Sequence, residues 1–328
     1  MSQHFLLSAK ARTLGIGAIT RMTDAQVETT FAAIRWADTQ GKPVCPHCGC
    51  QTVYEAPRPS GLLRFKCKAC RKDFSLTSGT LFAFHKMPLR QYLAAIVIFC
   101  NEVKGKSALA LSRDLDCQYK TAFVLAHKLR EVMASEITGL RLGGPGKIVE
   151  IDGGYFGGYV KPANHKENRI DRRLAANQNG KRQCVVVIRE RDGKVLPAAF
   201  RSESDALSFI RNRVARETEI QADEAASWND LAARYSMKRI NHQLAYSDDG
   251  ACTNGAESFF SRMRRAEQGH HHHISGVYLG RYAQESAWRE DARRVDNGRQ
   301  VRGVVSLALK ARPSVDFCGY WQRSRAAA

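Results

Sequence analysis

The sequence predicts a multidomain chain in which an N-terminal helix and a small metal-held module, then a group of helices, precede an α/β domain. Three observations lead there. Two close cysteine pairs, Cys45 with Cys48 and Cys67 with Cys70, fall in a stretch poor in periodic apolar residues. A helical apolar period runs through residues 89–133. A breaker cluster, Gly143, Gly144, Pro145 and Gly146, is followed by a change to strand-like patterning.

Thr23, with Gln26 three residues on, reads as a capping box, and Val27, Phe31 and Ile34 then recur at helical spacing within an N-terminal segment 1–40. Segment 41–86 is rich in Gly, Pro, Cys and Lys. Eighteen residues separate Cys45-Pro46-His47-Cys48 from Cys67-Lys68-Ala69-Cys70, the spacing of a four-thiolate zinc site, so the segment reads as a zinc ribbon. Gly49 suits the backbone bend after the first pair. Four sulfurs fill a tetrahedral site, which leaves His47 and Cys50 as bystanders and makes the ion structural. Arg58, Arg64, Lys66, Lys68, Arg71 and Lys72 surround the ligands and read either as phosphate contacts or as a solvated face.

Segment 87–142 fits three helices, with breaks at Gly105 and around residues 115–118. Residues 107–113, a turn over 114–117 and residues 119–133 have the lengths of a helix-turn-helix. On the last helix Ala122, Leu125, Ala126, Leu129 and Met133 make an apolar face, and Lys120, Phe123, His127 and Arg130 lie on another, suited to a major groove. An ordinary bundle with a solvated face has the same pattern. In segment 147–290 strands are expected at 147–156, 183–190, 194–201 and 217–222, the middle pair turning at Asp192-Gly193, with helices at 205–216, 225–235 and 254–267. Segment 291–328 reads as a basic C-terminal tail.

Charge narrows the function. Among 328 residues, 51 Lys and Arg oppose 32 Asp and Glu, giving a net charge of +19 and a polyanionic partner as the expectation. The longest apolar run, residues 92–100, is too short to span a bilayer, and the N-terminus lacks a secretion signal, so a cytoplasmic protein without membrane contact is expected. There, ten cysteines point to metal and not to disulfides.

The candidate chemistry lies in three carboxylates. Asp152 sits in the first strand of the α/β half, sharing a face with Glu150 while Val149 and Ile151 take the buried one. Asp223 ends a later strand. Glu257 lies early on an amphipathic helix. Singly, each reads as strand-end solvation or helix capping; together they follow the order of a ribonuclease-H-like domain, where hard divalent cations held by carboxylates flank a phosphate.

In order along the chain stand R-W-A-D, C-P-H-C-G, C-K-A-C-R-K-D-F-S-L-T-S-G-T-L-F, K-M-P-L, E-I-D-G-G-Y-F-G-G, N-H-Q-L-A-Y-S, T-N-G-A-E-S-F-F-S-R-M-R-R and Y-A-Q-E-S-A-W-R. Over nearly its whole length the chain resembles the zinc-ribbon, DDE-type insertion-sequence transposases of the ISXO group, related to the Merlin elements. The resemblance implies that Asp152 and Asp223 are the first two metal-binding carboxylates and that the third position falls on Asn254 or Glu257, with the anionic Glu257 the better ligand for Mg²⁺ or Mn²⁺. It places Arg264 where the family carries a Lys that holds DNA. It implies strand cleavage at terminal inverted repeats, attack of the freed 3′-hydroxyl on target DNA, and a homo-oligomer on DNA. The basic stretch 161–182, including Arg172 and Arg173, reads either as a clamp for a DNA end or as a segment disordered without DNA, and His242 in the N-H-Q-L segment reads first as a structural histidine and second as a residue near the expected site. The competing reading is a non-catalytic DNA-binding protein, a regulator or domesticated transposase; a nuclease that cuts without joining is a third.

Overall fold

A computed structural model of the chain describes residues 4–56, 63–158, 160–171, 177, 180–241, 250 and 252–326. In chain order these form helices α1 (Ile16–Arg21) and α2 (Asp24–Arg35), strands β1 (Val53–Glu55), β2 (Arg64–Cys67) and β3 (Asp73–Ser75), and helices α3 (Leu89–Asn101), α4 (Ala108–Asp114) and α5 (Tyr119–Ser135). Strands β4 (Ile148–Phe156), β5 (Gln183–Glu190) and β6 (Val195–Phe200), helix α6 (Leu207–Arg213), and strands β7 (Glu219–Asp223) and β8 (Ser236–Ile240) follow. Helices α7 (Asn254–Ala266), α8 (Gly276–Ala292), α9 (Asn297–Lys310) and α10 (Tyr320–Ala326) close the chain. Two compact units result, one of residues 1–135 with 293–328 and one of residues 136–292.

In the first unit, α2 begins with the expected capping box: Thr23 Oγ1 accepts from the Gln26 amide and the Gln26 side chain accepts from the Thr23 amide. Its last turn carries Arg35, whose guanidinium donates to the carbonyls of Ser75, Leu76 and Ser78 and so ties the helix to the end of β3. The antiparallel sheet β1-β2-β3 packs Phe65 against Phe74 and against Trp36. Helices α3, α4 and α5 fall where the apolar period placed them.

The C-terminal segment departs from expectation: it is a folded part of this unit and not a tail. Asp296 caps α9 by accepting from the Arg299 amide, and Val301, Val304, Val305, Ala308 and Leu309 bury one helical stripe beside α2, α3 and α5. That stripe recurs at three- and four-residue spacing and is readable once the Arg-rich composition is set aside.

The second unit is a five-stranded sheet of order β6-β5-β4-β7-β8, with β4, β5 and β6 antiparallel and β4, β7 and β8 parallel. Alternation along the strands sends Val149, Ile151, Val186, Ile188, Ile220 and Ala222 to one face, under α6 and Trp228. Phe156, Val185, Val187 and Val195 face the other, under α7 and α8. Residues ahead of β4 already belong to this unit: Leu142 exchanges backbone hydrogen bonds with Arg213 and Ala215. The helix expected at 225–235 is a shorter 3₁₀ turn, Ala226–Leu231, and the polar edge strand β8 and helix α8 were not expected.

Candidate active site

Asp152 stands in β4 where both faces of the strand meet side chains at close range. A Cβ on Gly153 would collide with the Glu203 carboxylate, and one on Gly154 would lie 2.6 Å from the Phe260 ring. The two glycines thus admit protein side chains on both faces of the strand. The Gly153 amide donates to Asp152 Oδ1 at 2.7 Å and fixes the carboxylate.

Asp223, the last residue of β7, comes alongside the middle of β4 because the two strands run parallel, pairing Ala222 with Ile151. Trp228 Nε1 donates to its Oδ1 at 2.9 Å and the Ala225 amide at 3.3 Å. Glu257 arrives from the other face on α7, which lays Phe259, Phe260 and Met263 on the sheet. An open groove of about 520 Å³ is lined by Asp152, Glu257, Phe260, Ser261, Arg264, Arg265 and Gln268, a stripe that repeats every three or four residues along α7 and its continuation. Asn254, the alternative third residue, is exposed at the start of α7.

The Asp152 carboxyl is pushed up to about 7, by burial first, against the Gly153 hydrogen bond and with the help of the Asp223, Glu203 and Glu257 carboxylates. Negative charge is therefore crowded here beyond what the unaccompanied chain ionises easily. Hard oxygen donors with surplus charge suit a divalent cation of the Mg²⁺ or Mn²⁺ type. A raised carboxyl pKa means the folded state binds more protons than the unfolded chain between about pH 4 and about pH 7, so the contribution to stability falls as pH rises through that window. Without added divalent cation, the thermal midpoint should fall between about pH 4 and about pH 7, and less steeply in Asp152→Asn. Equal slopes in thermal unfolding of the two proteins would contradict the assignment.

Glu203 was missed by sequence reasoning, since a lone Glu between a strand and a helix carries no pattern. So was Glu150, which faces α7 and is only 4% exposed. Its Oε2 accepts from the Ala256 amide at 3.0 Å, serving one of the unsatisfied donors at the N-terminus of α7. Arg191 Nη2 lies 3.3 Å from the other oxygen and donates to Gln221 Oε1 at 2.8 Å. Arg189 donates to the Gly255 carbonyl and pairs with Glu290, which also pairs with Arg262. This network anchors the helix that carries Glu257. Glu150→Ala should cost about 3 kcal/mol, because an amide and a guanidinium lose their acceptor in a mostly dry site. An unchanged urea midpoint would refute that anchoring role.

In the first unit the ligating atoms of Cys45, Cys48, Cys67 and Cys70 all lie within 4.8 Å of one another. The Cys45–Cys70 and Cys48–Cys67 sulfurs are 3.6 and 3.5 Å apart. Tetrahedral zinc–thiolate bonds place sulfurs about 3.8 Å apart, so the four residues fit the ion. Each pair forms the same knuckle: the Gly49 amide returns to the Cys45 carbonyl and the Arg71 amide to that of Cys67, at positive φ of 75° and 62°. The Cys70 amide, donating to Cys67 Sγ, leads in drawing that thiol down to about 6, toward the thiolate that a metal takes.

The expected DNA-contacting residues scatter. Lys120 is exposed, its ammonium 5.2 Å from the Trp321 ring. His127 and Arg130 are each 1% exposed, which contradicts their assignment to a groove-facing surface. The His127 ring stacks on Phe317 and meets Phe123, and Arg130 lies over Phe99, because residues from the C-terminal segment cover the helix face that looked free. Arg264 is exposed in the groove, its guanidinium 5.9 Å from the Phe156 ring and 5.8 Å from the Phe260 ring. Arg58, Arg172, Arg173 and His242 lie outside the described residues.

Comparison with known proteins gives two family matches. Residues 141–291 match the ISXO2-like transposase domain and residues 22–73 the transposase zinc-ribbon domain. An uncharacterized protein in transposable element ISH50 of Halobacterium salinarum is 22% identical over 300 residues, covering 88% of this chain and 98% of its own length. No solved structure gives a significant match. Among the described residues no helix is long and apolar enough to cross a membrane.

Proposed function

Because the chain belongs to the transposases that join a zinc ribbon to an ISXO2-like domain, we propose that it cuts DNA at the ends of an insertion sequence and joins the freed 3′-hydroxyl to target DNA. The observation that carries this reading is the gathering of Asp152, Asp223 and Glu257, from three separate elements, around the middle of β4 beside a groove lined by Arg264 and Arg265. A sheet with three antiparallel strands followed by two parallel ones supports a ribonuclease-H-like domain.

Asp152, Asp223 and Glu257 would hold Mg²⁺ or Mn²⁺, which supplies Lewis acidity for phosphodiester displacement. Arg264 and Arg265 lie two turns further along α7, placed to hold the phosphates that flank the scissile bond. Phe260, seated on Gly154, keeps α7 at a fixed height over Asp152. Water serves as nucleophile in the first step and the 3′-hydroxyl in the second, so one site performs both and no side chain is covalently modified. The ribbon presents exposed Lys66, Lys68, Arg71 and Lys72 to the backbone of the element end. Helices α4 and α5 keep the lengths of a helix-turn-helix, with Lys120 exposed near the start of α5, where such helices meet base edges. Joining two ends requires two copies, which makes a dimer on DNA the smallest working assembly.

The test is an assay with labelled element-end DNA, target plasmid and Mg²⁺, resolved for cleaved and joined products. Joined product is the expected result. Cleavage without joining would make the protein a nuclease, and binding without cleavage a regulator.

A further inference from the structure

We propose that Glu203 is a fourth carboxylate of the cation site, held in place by Ser227 on the 3₁₀ turn that also holds Asp223. The inference rests on the reading of Asp152, Asp223 and Glu257 as a divalent-cation site. Glu203 lies three residues beyond the end of β6, on the face of the sheet opposite α7. Its carboxylate rests against Gly153, the position that follows Asp152, and only the missing side chain there lets it approach.

The hydrogen bonds divide the carboxylate oxygens in a regular way. Ser227 Oγ donates to Glu203 Oε2 at 2.8 Å, Trp228 Nε1 donates to Asp223 Oδ1 at 2.9 Å, and the Gly153 amide donates to Asp152 Oδ1 at 2.7 Å. Among the described residues, Glu203 Oε1, Asp223 Oδ2 and Asp152 Oδ2 receive no such donor. Each of the three carboxylates thus commits one oxygen to the chain and keeps the other for a ligand. Adjacent residues, Ser227 and Trp228, fix two of them from a single short turn, Ala226–Leu231.

Such an arrangement orients donors. A structural carboxylate gains most by satisfying both oxygens or by facing a cationic side chain, and among the described residues Glu203 has neither: Ser227 is its side-chain partner, and the charges beside it are those of Asp152 and Asp223. With Glu203 on one face of β4 and Glu257 on the other, Asp152 in the middle of the strand is bracketed by anionic groups. That geometry suits a cation with several oxygen ligands better than three carboxylates would alone.

The test is Mn²⁺ binding to the full-length protein, measured by calorimetry and by the electron paramagnetic resonance of free Mn²⁺, on wild type, Glu203→Gln, Ser227→Ala and Asp152→Asn. Gln keeps an oxygen for the Ser227 hydroxyl, so Glu203→Gln removes charge without removing the hydrogen bond. Thermal unfolding of each variant confirms that it is folded. Glu203→Gln is expected to weaken Mn²⁺ about 10- to 100-fold and Ser227→Ala by a smaller factor, with Asp152→Asn abolishing binding. Wild-type affinity in folded Glu203→Gln, with binding lost in Asp152→Asn, would overturn the role of Glu203 and leave the three-carboxylate site standing. Failure of the wild type to bind Mn²⁺ would overturn both.

Discussion

Asp152→Asn is expected to lower strand cleavage and joining by about 10³-fold or more, a loss of about 4 kcal/mol of transition-state stabilisation. Asn keeps the size of the side chain and still accepts from the Gly153 amide, so the local structure has no reason to change. It removes the one charge that neighbours Asp223, Glu203 and Glu257 together. The same substitution should stabilise the cation-free protein above about pH 7, because a carboxylate ionised against burial and three like charges is replaced by a neutral group. Opposite signs on activity and stability separate this role from a structural one. Single-turnover cleavage and thermal unfolding, run side by side, read both. Retained cleavage would refute the assignment, and a large loss of stability would make Asp152 a structural residue.

Removing zinc should have the largest effect on the first unit. Structural zinc contributes about 10 kcal/mol or more to folding, comparable to the whole stability of an ordinary domain. The ribbon's strands offer little else: β1 and β3 are three residues each, and the aromatic residues they bury are Phe65 and Phe74, Phe65 meeting Trp36. Cys67→Ser, or chelation, should unfold the ribbon and abolish tight binding of element-end DNA, as exposed Lys66, Lys68, Arg71 and Lys72 lose their fixed positions. Added Zn²⁺ should restore the chelated wild type and leave Cys67→Ser impaired. DNA affinity and a thermal profile indifferent to chelator would contradict the account.

The features legible in the sequence were those with short-range causes. The four cysteines come together because their spacing closes two knuckles, and α2, α3, α4 and α5 fall where caps and apolar period placed them. Asp223 was readable as a strand-end acid because β7 is a short run ended by that carboxylate, whereas Asp152 stands in the middle of β4, where Gly153 and Gly154 continue the strand to Phe156. What escaped depends on distant partners. Glu203 and Glu150 acquire meaning only when the sheet brings Gly153 and the start of α7 to them. His127 and Arg130 looked solvated because their covering residue Phe317 and ring partner Phe99 lie 190 and 31 residues away in the chain. Strand β8, polar along S-M-K-R-I, pairs only at the sheet edge, where tertiary pairing outweighs local apolar pattern.

Whether Asp152, Asp223 and Glu257 hold a catalytic cation is read by anomalous diffraction from crystals grown with Mn²⁺. The expected result is a manganese peak bonded to oxygens of Asp152 and Asp223 and lying toward Glu257. Ordered carboxylates at full Mn²⁺ occupancy elsewhere, with no peak between them, would contradict that assignment.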